Sequence, residues 1–263
     1  MSASGNHPAL EAAATAARSA YATARASFDR ATLEEKVKVG ADGTPTMHID
    51  LLIEDAIAEA IAPYKVNLLS EESGFTDVGS AVTLVIDPLD GSANAAAGVP
   101  IAGFGGAVAI DGVFTEALTV WLETGMRWSV RASDARQNTT TGRTSLDGAA
   151  VSLLRPHPHH PTAAAAWWRI AERAARIRIL SCSTIEAVLV ADGATDAFAD
   201  AGTDTHRLVD LAPALVHLPV VGGCVIDAFG RPIEFDTDLT RRWSGVVAAS
   251  QELAEQLAES ISG

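Results

Sequence analysis

Two spacings of apolar residues run along this chain and predict its elements in turn. Residues 8–31 read as an alanine-rich helix beginning near His7-Pro8. Val37 to Asp50 (VKVGADGTPTMHID) carries Gly, Asp and Pro in turn positions and reads as a loop or hairpin. Apolar residues at Ile49, Leu52, Ile53, Ala56, Ile57 and Ile61 then form a helical stripe that Pro63 ends. VNLLSEESG reads as a short strand entering an acidic loop, and Val82–Ile86 as a second strand. GFGGAVAIDGVFTEALTVWLE reads as two strands turning at Asp111-Gly112, and MRWSVRAS adds another.

The second half alternates differently. Leu153 to Ala163 (LLRPHPHHPTA) is proline-rich and without periodicity, so it reads as a linker between residues 1–152 and 162–263. Its histidines, His157, His159 and His160, are held extended by prolines with no carboxylate nearby in sequence. Beyond it come a helix (AAAAWWRIAERAA), a strand (IRILSC), a helix ending at Gly193, a strand (TDAFAD) and a helix (LVDLAPALVHLPVVGG). CVIDAFGRPIEF then reads as a hairpin, and RRWSGVVAASQELAEQLAES as a terminal helix. Helices followed by antiparallel strands, then alternation, give an α/β chain with an α+β first half and an α/β second half.

Composition narrows the classes. Mean hydropathy of +0.18 belongs to a globular chain rather than a disordered one, although alanine supplies much of it. No run of 18 apolar residues appears, and the first residues lack the charged and apolar regions of a signal peptide, so the expectation is a cytoplasmic protein with no membrane partner. A formal charge of −14 argues against nucleic-acid binding, which needs basic surface. It would also repel an anionic substrate, unless a bound metal reverses the local field. Cys182 and Cys224 read as reduced thiols without metal-ligand spacing.

The chemistry concentrates in carboxylates. Glu71-Glu72 follows one short apolar run, Asp87 and Asp90 (VIDPLDGS) follow another, and Asp210 stands near the start of a helix. Each has an ordinary alternative: a solvated loop, a plain turn, an N-cap. Together they are more specific, because carboxylates beside a core repel one another unless a cation lies among them. Oxygen-only donors suit Mg2+ or Mn2+ rather than Zn2+.

VIDPLDGSAN, with SEESG ahead of it and VDLAPALVHLPVVGG in the second half, resembles the inositol monophosphatase family, Mg2+-dependent and lithium-sensitive phosphomonoesterases related to fructose-1,6-bisphosphatases. The likeness runs from Val37 to Ala249, and GADGTPTMHID, NAAAGVP and DAFAD look like the archaeal-type members. It implies a five-layered α/β/α/β/α sandwich, a homodimer, and two or three Mg2+ per site, with Mn2+ as a substitute. Glu71, Asp87 and the Leu89 carbonyl would hold one ion. Asp87, Asp90 and Asp210 would hold a second, with Glu72 close by. Gly91 and Ser92 would offer N–H groups to the phosphate, and Asp50 with the Ser92 hydroxyl would deprotonate the attacking water. Glu71 counts with this pair among the catalytic groups, and no covalent intermediate is implied.

Some positions depart from the family. Ser92 stands where threonine is usual, keeping the hydroxyl, and Val209 stands where tryptophan is common. On the substrate side the resemblance points to Asp200 and Arg207, with His206 nearby in a segment, 201–209, of unusual length. The expected function is hydrolysis of a sugar or cyclitol phosphate such as inositol 1-phosphate. The alternatives are a specialised phosphatase for a nucleotide or biosynthetic sugar phosphate, and a catalytically silent, metal-binding regulatory subunit.

Overall fold

In the computed structural model, which describes residues 6–156 and 159–263, the helix expected over 8–31 is two helices. Phe28 leaves α1 (Pro8–Ser27) in an extended conformation, and the Asp29 carboxylate accepts from Thr32 N at 2.9 Å to start α2 (Arg30–Leu33). An N-cap bond of this kind is worth about 1 kcal/mol, enough to restart a short helix. The turn-rich segment after it is an antiparallel hairpin of β1 (Lys36–Val39) and β2 (Pro45–Met47). From the stripe expected in α3 (His48–Ile61), Ile49, Ile53, Ile57 and Ile61 are buried, while Leu52 and Ala56 remain partly exposed.

β3 (Asn67–Ser70) is followed by β4 (Gly74–Thr76), an edge strand the sequence reading missed. Next come β5 (Val82–Asp90), α4 (Ser92–Ala97), β6 (Gly103–Ile110), β7 (Val113–Trp121) and β8 (Arg127–Arg131). They form a six-stranded sheet in the order β4-β3-β5-β6-β7-β8, parallel only between β3 and β5. The strand expected to stop at Ile86 runs on to Asp90.

The second sheet takes β9 (Ala150–Leu153), which lies across the expected division at residue 152, so the two sheets separate ahead of Ala150. α5 (Pro161–Arg173), β10 (Arg176–Arg178), α6 (Ser183–Ala191), β11 (Ala197–Ala199) and α7 (Leu208–Val221) match expected elements. The tail differs. β12 (Cys224–Asp227) pairs with β13 (Gly245–Ala248), not with the residues directly after it, and the last helix, α8, is confined to Gln251–Ser262. The Asp227 carboxylate takes the Phe229 and Arg231 N–H groups, and Pro232 has none to offer, so the chain turns out of the ladder. β-branched Val246 and Val247 favour a strand where a helix was expected. The order is β10-β9-β11-β13-β12.

α1 and α3 cover the outer face of the first sheet, and α5 and α8 the outer side of the second. α6 and α7 fill the space between the sheets. That is the five-layered α/β/α/β/α arrangement. α7 is buried on nearly every face because a sheet lies on each side of it, and its N-terminus opens where the halves meet.

Candidate active site

The two aspartates of β5 share a face because of a bulge. Residues three apart in a regular strand point to opposite sides. Here Asp87 lies opposite Gly105 and Asp90 opposite Gly103, so three steps along β5 match two along β6. The extra residue restores the phase and brings both carboxylates to one side. A Cβ on Gly103 or Gly105 would collide with the Thr184 side chain. Glycine therefore lets the start of α6 come close, and Thr184 N donates to Asp90 Oδ2 at 2.6 Å.

Two helix N-termini, one from each half, supply further carboxylates. Asp50 is the third residue of α3, and its Oδ2 accepts from Met47 N at 2.9 Å. Asp210 is the third residue of α7, not its N-cap, and its Oδ2 accepts from Arg207 N at 2.6 Å. The positive ends of both helix dipoles favour these anions. Glu71 and Glu72 follow β3, where the Thr46 hydroxyl donates to Glu72 and the Arg207 guanidinium to Glu71. The Ser92 hydroxyl donates to the Leu89 carbonyl at 3.0 Å and lies close enough to Asp50 to favour its ionised form. Gly91 caps α4 in the left-handed region at φ 85°, where a Cβ would stand 3.0 Å from the Ile101 carbonyl.

Crowding shows in the protonation of these groups. Burial, then the charges of Glu71, Asp90 and Asp210, push Asp87 well above the usual carboxylate range. Burial and Asp210 raise Asp90 to about 6. Burial, with Asp210, Glu72 and Asp42 against the pull of Arg207, raises Glu71 to about 8. Burial lifts Glu72 to about 7 and Asp50 to about 6 despite their hydrogen bonds. Asp210 goes the other way: burial would raise it, but Arg207 outweighs burial and holds it below the usual range.

The donor set suits a hard divalent cation. It is made of oxygens, its carboxyls repel one another, and Asp87 Oδ2 is buried with no hydrogen-bond partner. Among the described residues, no three carboxylate, imidazole or thiol groups are gathered tightly enough to hold an ion as they stand. Arg207 lies among them instead, bonded to Asp42, Glu71 and Asp210.

The candidates on the substrate side divide. Arg207 lines a cavity of about 430 Å3 beside the cluster, together with Glu71, Thr203, His160 and Arg242. Asp200 does not reach it. Its side chain is fully buried, and its oxygens accept from Thr203 N at 3.0 Å, Thr203 Oγ1 at 2.5 Å and Thr205 N at 2.8 Å, so it shapes the loop from inside. His206 is also buried, against Phe198, with its Nδ1 accepting from Gly245 N. Of the linker histidines, His160 stands at the cavity wall, His159 is exposed, and His157 lies outside the described residues. A larger apolar groove between α1 and α3, about 530 Å3, lies behind the first sheet, away from the cluster.

The sequence reading missed Asp42, Arg242 and Thr184. Asp42 sits in the turn of GADGTP and accepts from Thr44 N and Oγ1 at 2.8 Å. Its Oδ2 meets Arg207 Nη1 at 2.8 Å and its carbonyl oxygen meets Arg242 Nη2 at 3.0 Å. Turn chemistry was the only local signal, since its partners lie 165 and 200 residues away.

The inositol monophosphatase family model matches residues 6–263. A fructose-1,6-bisphosphatase/inositol-1-monophosphatase of Thermococcus kodakarensis is 28% identical over 232 residues, 86% of this chain and 87% of that one. A bifunctional NADP phosphatase/NAD kinase of Methanococcus maripaludis is 28% identical over 254 residues, 85% of this chain but 44% of the longer relative. A crystal structure of an inositol monophosphatase-fructose 1,6 bisphosphatase superposes with TM-score 0.82 at 24% identity, covering 95% of this chain and 98% of the other. The extragenic suppressor protein suhB of Bartonella henselae gives 0.80 at 20% identity and 97% coverage of both. The chain belongs to the inositol monophosphatase family and is a phosphatase.

Proposed function

We propose that the protein is a Mg2+-dependent phosphomonoesterase for a sugar or cyclitol phosphate such as inositol 1-phosphate. The observation that carries this reading is the Asp50–Ser92 pair beside a cluster of buried, mutually repelling carboxylates. Glu71, Asp87 and the Leu89 carbonyl would hold one ion, and Asp87, Asp90 and Asp210 another, with Glu72 nearby. Bound there, Mg2+ would neutralise phosphate charge and make water a stronger nucleophile at neutral pH. Gly91 and Ser92 would face the phosphate, and the Ser92 hydroxyl would orient the water. Asp50, raised to about 6, is suited to take the water's proton near neutral pH. The product is inorganic phosphate and an alcohol, with no phosphoenzyme. Mn2+ as a substitute, a homodimer and a cytoplasmic location belong to the same proposal.

A second reading has its own support. Arg242 lines the cavity next to the cluster and could meet an anionic group there. That favours a substrate with a second anionic group, as in fructose bisphosphate or a phosphorylated dinucleotide. Phosphate release with Mg2+ from inositol 1-phosphate, fructose 1,6-bisphosphate, NADP and a nucleoside monophosphate tests both readings, with Asp50→Asn as control. Release from the first alone supports the leading reading, release confined to the second and third supports the other, and release equal to the control's on all four rejects both.

A further inference from the structure

We infer that Arg207 is a built-in counter-ion which a divalent cation must displace, so that the guanidinium and the metal compete for the same oxygens; this rests on the reading of the cluster as a metal site. Arg207 spends every kind of side-chain donor it has on acids. Nη2 meets Asp210 Oδ1 at 2.9 Å, Nε meets Asp210 Oδ2 at 3.0 Å, and Nη1 meets Asp42 Oδ2 at 2.8 Å and also Glu71. Its side chain is only 16% exposed. The fork engages both oxygens of Asp210, and Oδ2 accepts the Arg207 N–H as well. Two of the expected ligands, from different halves of the chain, are therefore tied to one cation. Asp87, which Arg207 does not touch, is the member left with an orphaned oxygen.

One unit charge balances the three carboxylates it touches, Asp42, Glu71 and Asp210, poorly. It does make the metal-free cluster tolerable by keeping Glu71 and Asp210 paired, since an unpaired buried charge is strongly destabilising. A divalent ion brings more charge but needs lone pairs that the guanidinium engages. Removing Arg207 therefore acts twice in one direction. It raises the free energy of the metal-free cluster, and it removes a like charge from beside the bound ion. Both effects tighten metal binding. A purely structural ion pair predicts the reverse, because loosening the α7 N-terminus would displace Asp210 and weaken binding.

The experiment compares the full chain with Arg207→Met and Arg207→Lys, all stripped with EDTA. Mn2+ binding is read by electron paramagnetic resonance and Mg2+ binding by calorimetry, and Tm is read with and without saturating Mg2+. The expected result is binding at least about tenfold tighter for Arg207→Met, a change of about 1.4 kcal/mol, with Arg207→Lys in between because it keeps the charge and loses the fork. The metal-free Tm of Arg207→Met falls, and saturating Mg2+ recovers it. Unchanged or weaker binding in Arg207→Met overturns the proposal while leaving the metal site standing. Absence of Mn2+ and Mg2+ binding in all three chains overturns the metal site, and the proposal with it. If Arg207→Met does not fold, Arg207→Gln takes its place with the same two outcomes.

Discussion

Asp90→Asn removes one buried negative charge while keeping the side chain's size and its acceptor for Thr184 N. Burial and the Asp210 charge hold this carboxyl at about 6, against the ordinary 3.8. At about 1.4 kcal/mol per tenfold, that difference is roughly 3 kcal/mol of destabilisation from the ionised group in the metal-free protein. The neutral amide loses about 1 kcal/mol, because its bond to Thr184 N is no longer charge-assisted. The net expectation is a metal-free variant more stable by about 2 kcal/mol, or a Tm higher by about 4–8 °C for a chain of this size. The pH window follows from the sign. A carboxyl whose folded pKa is raised contributes fully below its unfolded value and loses that contribution as pH rises through the folded one. The advantage of asparagine should therefore be absent at pH 4, grow toward pH 6 and be complete above it. The assay is thermal unfolding in EDTA at pH 4 and pH 7.5, beside phosphate release in Mg2+ at pH 7.5. Release should fall at least about a thousandfold if the ligand is lost. A variant less stable than wild type in EDTA at pH 7.5, or one that keeps its turnover, refutes the reasoning.

Asp50→Asn and Ser92→Ala should each lower kcat by about 10^2 to 10^4 with little change in KM, and a kcat within tenfold of wild type for both would remove the pair from the reaction. Because burial raises Glu71 and Glu72 to about 8 and 7 in the metal-free protein and they would bind ions as carboxylates, Mg2+ affinity should rise between pH 6 and pH 8. Calorimetry at pH 7 in two buffers of different ionisation enthalpy should register the released protons. Arg242→Met should cut kcat/KM for fructose 1,6-bisphosphate by at least about tenfold and leave inositol 1-phosphate within about threefold; an equal loss on both would make Arg242 a structural clasp on Asp42. Asp200→Ala, which strips three acceptor bonds from the 200–206 loop, should lower stability by about 3 kcal/mol and Tm by about 6–12 °C, read by thermal unfolding; an unchanged Tm would show that these bonds do not hold the loop.

Short-range pattern made much of the protein legible. Ile49 to Ile61 could be read as a helix because neighbours three and four apart share a face, whatever else surrounds them. Asp87, Asp90, Glu71 and Asp210 could be picked out because each stands at the end of an apolar run. The resemblance then joined them into one site and supplied the five layers. Local reading failed where pairing partners are distant. The segment after Asp227 reads locally as a hairpin and the stretch before Gln251 as helix, because neither shows that β12 pairs with β13 across the intervening loop.

Tertiary structure decided the details that carry charge. The bulge that aligns Asp87 with Asp90 exists in the register against Gly103 and Gly105, a property of two strands and not of one. Asp200 and Asp210 are both aspartates near buried segments, yet one turns inward to Thr203 and Thr205 and the other toward Glu71 and Arg207. Asp42 meets Arg207 and Arg242 only after the halves close, across 165 and 200 residues of chain. Spacing along the sequence reports which side chains one element presents together. Coulomb energies depend on distance and burial in space, and only packing sets those.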